Sequence, residues 1–188
     1  MQRGWIVCVF IVVASLAECQ SVHAAKPPKS PKGYQWKACE FVTCSFLVPD
    51  GWAFERLKSN NTIRFLITKK RHKQPFAPRV RINVLQRAES RTGLSVEKHL
   101  DLFMKDLRKS SRVLDTWQRE GGAFKSVAAT AIRYTNVNNP TQQFNLLIAN
   151  VVTGTLYVMI FEVAPEFWDQ EWIIVKQVFE QLRLDERV

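Results

Sequence analysis

Two adjacent segments are apolar without interruption, and they restrict the fold of this chain more than any other feature. Residues 146–149 read LLIA and residues 157–161 read YVMIF, within the strand-like segments 143–152 and 155–163. A strand with one face in solvent alternates apolar and polar residues, whereas a strand that is apolar on both faces is covered on both faces. These segments therefore predict a sheet that carries helices on each side.

The central part of the chain has the two-residue period of strands that are buried on one face. Ile63, Phe65 and Ile67 share one face of residues 62–70, and residues 79–87 alternate in the same way. Turn residues separate the other strands. These are predicted at 44–48, 52–57, 113–120 and 124–134.

Two segments instead have the helical period. Ser95 is a good N-cap, and Pro165 suits the first turn of a helix. The first helix has an apolar stripe of Val96, Leu100, Phe103, Met104 and Leu107, and the second has one of Trp168, Trp172, Val175, Phe179 and Leu182. Together with the strands, they predict an α/β domain.

The amino-terminal end has the layout of a secretory signal. Arg3 precedes an uncharged apolar run at residues 5–17, which is shorter than the roughly 20 residues that cross a bilayer. The small residues of the VHA sequence ending at Ala24 indicate cleavage there, so residues 1–24 are predicted to be a signal peptide. We therefore expect an exported protein, either periplasmic or secreted. Acylation of Cys19 in a lipoprotein is the alternative.

About 160 residues would remain after cleavage, which suffice for one domain. Residues 25–33 contain KPPKSPK, a Lys/Pro-rich arm that cannot form a helix or a core. Residues 34–185 are predicted to form a single domain, and none of its apolar runs is long enough to span a membrane.

Cys39 and Cys44 are the two cysteines of the predicted mature chain. In one straight strand they would be too far apart for a disulfide. If residues 40–43 turn, they become cross-strand neighbours in a hairpin and can form a bridge, which export would favour. The alternative is two free or separately buried thiols.

Two short strands flank a Pro-x-Gly-Trp turn, here Pro49-Asp50-Gly51-Trp52. A basic hairpin, a helix, an antiparallel run and a closing amphipathic helix follow. This order of elements resembles the PsbP-like superfamily, which includes exported bacterial DcrB-type proteins. The resemblance implies an α/β/α sandwich on a mainly antiparallel sheet and a protein that binds, assembles or stabilises other components. Trp52 corresponds to the tryptophan of the family's turn, where we expect it to pack at a strand start.

The sequence has no recognisable catalytic motif, and it predicts no metal and no cofactor. There is no G-x-S-x-G elbow, glycine-rich phosphate loop or H-E-x-x-H motif. His72 and His99 lack neighbouring ligands at metal-binding spacing. Glu162 is the carboxylate of most interest, and we expect it to reach solvent from a strand end. A hydrolase or other enzyme with an unrecognised site remains the alternative function, favoured if Glu162 or His99 shares a polar pocket with a second titratable group.

Charge is the strongest functional signal. The formal net charge is +10, and removal of residues 1–24 leaves it unchanged, because one arginine and one glutamate are lost. No acidic residue occurs between Glu55 and Glu89. That interval contains ten basic residues, which equal the whole net charge: Arg56, Lys58, Arg64, Lys69, Lys70, Arg71, Lys73, Arg79, Arg81 and Arg87.

A hairpin of the segments 62–70 and 79–87 would place four basic residues on one outer face, with residues 69 and 71–73 at or near its tip. The four are Arg64, Lys70, Arg79 and Arg81. The predicted binding residues are Arg64, Lys69, Lys70, Arg71, Lys73, Arg79 and Arg81. Because like charges this close repel, we expect an acidic protein, an anionic polymer or a membrane surface to oppose them. Nucleic acid fits less well, since export is predicted and no aromatic ladder interleaves the basic residues. A solubility device, or charge that protects an edge strand, is the alternative.

Overall fold

The computed structural model describes residues 28–38, 44–57, 62–70, 77–134 and 140–184. The predicted signal peptide, Cys19, Cys39, Arg71, His72 and Lys73 lie outside these ranges. The strands are β1 (Tyr34–Ala38), β2 (Cys44–Pro49), β3 (Trp52–Leu57), β4 (Ile63–Lys69), β5 (Arg79–Leu85), β6 (Ser111–Gly121), β7 (Phe124–Tyr134), β8 (Pro140–Asn150), β9 (Thr155–Val163) and β10 (Arg183–Leu184). The helices are α1 (Ala88–Thr92), α2 (Val96–Ser110) and α3 (Trp168–Glu180), and a 3₁₀ turn at Pro165–Phe167 precedes α3.

The strands form two sheets, and every pairing is antiparallel. The large sheet has seven strands in the order β3-β4-β5-β9-β8-β7-β6, and the small sheet has the order β1-β2-β10. Gly51, at the turn from β2 to β3, has a φ of 79°, which is why the Pro-Asp-Gly sequence ends one strand and redirects the chain into the next. The pairing of β5 with β9 joins parts of the chain that are far apart in sequence, and it brings the basic hairpin against the apolar strands.

Helices lie on both faces of the large sheet, as the doubly apolar strands predict. On the face that we call the α2 face, the α2 stripe packs on β7 and β8, where Val127, Ala129 and Leu147 are buried. On the opposite α3 face, α3 and the small sheet cover a larger core that includes Phe65, Ile82, Phe161 and Val175. Ser95 caps α2, with its hydroxyl oxygen accepting from Lys98 N at 3.2 Å.

Most predicted elements are confirmed to within a few residues, including the hairpin strands β4 and β5 and both long helices. Sequence periodicity missed β1, α1 and β10. With five and two residues, α1 and β10 are too short to establish a period. Strand β1 has five residues, YQWKA, and its alternation was a signal that was overlooked. Because β1 and β10 were missed, so was the small sheet that shares the α3 face with the helix.

Candidate functional site: the basic hairpin

The β4–β5 hairpin arranges its side chains as the alternation predicted. Phe65 lies opposite Ile82 and Ile67 opposite Val80, and all four point into the α3-face core. Arg64, Arg79 and Arg81 therefore share the α2 face. The main contacts of α2 are with β6, β7 and β8, so that helix does not cover the hairpin arginines. Arg64 is exposed, and the side chains of Arg79 and Arg81 are 37% and 39% exposed.

Arg79 and Arg81 nevertheless have a partner within the chain. The β5–β9 register sets Arg79 opposite Glu162, and Arg79 Nε lies 2.5 Å from Glu162 Oε1. Arg81 Nε lies 3.1 Å from the same oxygen, while Arg81 Nη2 donates to Oε2 at 3.2 Å. Gln143 on β8 also donates to Oε2, at 3.1 Å. Both carboxylate oxygens are thus occupied by donors from two neighbouring strands.

The expectation that Glu162 reaches solvent is wrong, because only 3% of the residue is exposed. Glu162 sits between β5 and β8 rather than at a free strand end, and the two guanidiniums compensate its buried charge. Its polar contacts in the described chain are with two arginines and one amide. In this arrangement Glu162 acts as a buried counter-ion for two guanidiniums of β5.

Lys69 is paired on the opposite face of the sheet. Its Nζ lies 2.5 Å from Glu171 Oε1 of α3, and the side chain of Glu171 is only 2% exposed. Lys69 therefore ties the end of β4 to α3. The sequence analysis did not identify Glu171, although its position four residues before the buried Val175 places it on the same face of α3.

Arg64 and Lys70 are the predicted contact residues that form no ion pair within the described part of the chain. Both are exposed, and Arg64 Nε donates to Thr62 Oγ1 at 3.0 Å. Lys70 lines a cleft of about 490 Å³ between the β1–β2 hairpin and β3, together with Lys37, Asp50 and Glu55. Arg71 and Lys73 lie outside the described residues, next to Lys70 in the sequence.

The remaining residues of interest pack against, or form hydrogen bonds with, other parts of the fold. Trp52 is 7% exposed and belongs to the α3-face core, as expected for packing. His99 Nε2 lies 2.9 Å from Thr92 Oγ1 on the neighbouring short helix. Burial raises the pKa of Tyr34, whose hydroxyl donates to the carbonyl of Ile174 at 2.9 Å. In the described ranges, no group of three or more His, Cys, Asp or Glu side chains could hold a metal ion.

The disulfide between Cys39 and Cys44 remains a prediction. The β1–β2 pairing ends with Ala38 opposite Ser45, and Cys44 is the next residue along β2. Cys44 is buried, while Cys39, its predicted partner, lies outside the described residues. None of the helices in the described ranges is long and apolar enough to cross a membrane.

No family model and no curated protein matches this chain, but solved structures do. LpqN from Mycobacterium tuberculosis, which is involved in cell envelope biogenesis, is 14% identical with a TM-score of 0.55, and the match covers 79% of this chain and 90% of LpqN. The Ran-binding protein Mog1p of Saccharomyces cerevisiae is 10% identical with a TM-score of 0.55, covering 80% of this chain and 95% of Mog1p.

Cyanobacterial PsbP from Synechocystis sp. PCC 6803 is 13% identical with a TM-score of 0.54. That match covers 90% of this chain and 99% of the cyanobacterial protein. At these identities the comparisons establish architecture alone. The chain has a PsbP-like α/β fold, as the order of its sequence elements indicated.

Proposed function

We propose that this chain is an exported, non-catalytic binding protein whose β4–β5 hairpin docks on an acidic protein partner. The observation that carries the proposal is the excess of basic over acidic residues in and around the hairpin. Ten basic residues and no acidic residue lie between Glu55 and Glu89. Within the described chain, Lys69, Arg79 and Arg81 pair with the buried Glu171 and Glu162, whereas Arg64 and Lys70 are exposed and form no ion pair.

The paired and unpaired cations have different parts in this proposal. Lys69, Arg79 and Arg81 hold the hairpin against α3 and β9, so they fix its position. Arg64 and Lys70 are exposed and carry the contact, and Arg71 and Lys73 extend it along the sequence. Exposed charges of one sign accelerate encounter with an oppositely charged partner and make binding sensitive to salt.

Export is part of the proposal and depends on the predicted signal peptide. LpqN, which acts in cell envelope biogenesis, and cyanobacterial PsbP share the fold, and Mog1p is a Ran-binding protein with the same architecture. The fold therefore occurs in a Ran-binding protein and in a protein involved in cell envelope biogenesis. They support a binding role here without identifying the partner.

Two variants with equal loss of charge test the contact surface. The hairpin variant replaces Arg64, Lys70, Arg71 and Lys73 by Ser, and the control variant replaces four exposed basic residues of α2 by Ser: Lys98, Lys105, Arg108 and Lys109. Binding of each variant to polyglutamate is measured by titration at low and physiological salt. We expect the hairpin variant to bind at least about ten-fold more weakly than the α2 variant, because local charge steers and orients the contact.

Equal losses in the two variants would contradict the proposal, since net charge alone would then explain binding. Anionic lipid vesicles and duplex DNA are measured in parallel. Preferential binding of the wild-type chain to vesicles or to DNA over polyglutamate would replace the acidic protein by a membrane surface or a nucleic acid.

A further inference from the structure

A second exposed feature lies at the far edge of the large sheet. Strand β6 pairs with β7, and no other described strand lies on its outer side. It is eleven residues long and carries two exposed large apolar side chains, Leu114 at 46% and Trp117 at 48% exposure. A long edge strand with exposed apolar residues is a template for the addition of another strand.

Trp117 also forms one side of an aromatic cleft of about 410 Å³ on the α3 face. Its other lining residues are Ala128, Thr130, Phe144, Trp168 and Trp172. The ring centroid of Trp117 lies 6.5 Å from that of Phe144, which lies 4.7 Å from that of Trp172. The apolar cleft therefore reaches the open edge of the sheet, where a partner strand could cover it.

The charges of β6 are complementary to a second β6. The register with β7 sets Asp115, Trp117 and Arg119 on the α3 face. Asp115 and Arg119 are exposed, and within the described chain neither forms an ion pair. In an antiparallel pairing of two β6 strands centred on Trp117, Asp115 of each copy lies opposite Arg119 of the other. Cross-strand pairs of opposite charge stabilise a sheet.

A β-bulge disfavours the alternative alignment centred on Thr116. The pairing with β7 shifts between Val113 and Asp115, so that the longer regular part of β6 runs from Asp115 to Gly121. A pairing centred on Trp117 places Asp115 and Arg119 within this regular part. A pairing centred on Thr116 would instead set Arg112 against Glu120, and its outer residues would have to cross the bulge.

We propose that β6 pairs with β6 of a second copy around a twofold axis at Trp117. The two large sheets then become one continuous sheet, and both aromatic clefts face the same side of it, next to the paired tryptophans. Such a contact is isologous, so each favourable or unfavourable pair occurs twice.

Charge reversals on β6 test the dimer by sedimentation velocity over a concentration series. D115R and R119D should each weaken self-association about ten-fold or more, because each converts two attractive pairs into two repulsive ones. The D115R/R119D double variant should recover to within about three-fold of wild type, since the pairs are restored with opposite polarity. D115R raises the net charge and R119D lowers it, so general repulsion between copies would move them in opposite directions.

R112D is the matched control, because Arg112 lies on the same strand and face but beyond the bulge. We expect its self-association to equal that of wild type. Circular dichroism melts verify that all variants are folded. The proposal is overturned if the wild-type chain stays monomeric throughout the micromolar range, if the double variant remains as weak as the single variants, or if R112D weakens association as much as R119D does.

Discussion

The two strands of the basic hairpin differ in whether their cations form ion pairs within the protein. On β5, Arg79 and Arg81 meet the buried Glu162, so part of their charge is compensated inside the fold. On and after β4, Arg64 and Lys70 are exposed and form no ion pair within the described chain. A run of basic residues in a sequence is therefore not the same as a basic surface, because some of the cations form ion pairs with a carboxylate of the same sheet.

This difference predicts that Glu162→Gln is the most destabilising of the single carboxylate substitutions. The amide would leave two guanidiniums beside a group without charge, and breaking a buried pair in this way destabilises by several kcal/mol. The arginines are more than one third exposed, so water can partly rehydrate them, and we expect a loss of about 2–3 kcal/mol. Urea unfolding measures it.

Glu180→Gln is the control for that measurement. Glu180 pairs with Lys176 at 3.3 Å, one turn away on α3, and both side chains are about half exposed. Its replacement should cost less than about 0.5 kcal/mol, since exposed helix pairs contribute little. Similar losses in the two variants would mean that Glu162 does not act as a buried counter-ion.

Glu171→Gln should have an intermediate effect, about 1–2 kcal/mol. Glu171 is buried and its contact with Lys69 is lost as an ion pair, although an amide oxygen can still accept a hydrogen bond from the ammonium group. Thermal unfolding of Glu171→Gln and Glu162→Gln under the same conditions ranks their losses of stability. A Glu171→Gln variant less stable than Glu162→Gln would contradict the ranking.

The sequence was informative wherever a local period determined the outcome. Alternation in β4 and β5 correctly oriented Arg64, Arg79 and Arg81 away from the core that contains Phe65 and Ile82. The partner of the two arginines could not be predicted in the same way. Glu162 lies 83 residues beyond Arg79, and their contact depends on β5 lying beside β9, which no local pattern specifies.

Trp117 was missed for a related reason. Residues 113–120 were predicted as a strand, but whether a strand lies at an edge or in the centre follows from the order of the whole sheet. That order leaves β6 with one described neighbour and exposes Trp117 beside α3. Glu171 shows the same limit for a helix, since its acceptor role depends on where the end of β4 lies.

The most direct test compares two double variants for both folding stability and binding to polyglutamate. For R64S/K70S, each substitution should change the free energy of unfolding by no more than about 0.5 kcal/mol, because both side chains are exposed. The same variant should bind polyglutamate more weakly than the wild-type chain does. R79S/R81S should lose about 3–5 kcal/mol of stability, because Glu162 would be buried without a counter-charge. If R64S/K70S bound as tightly as wild type, or if R79S/R81S were no less stable than R64S/K70S, the division of the hairpin into a structural side and a contact side would be wrong.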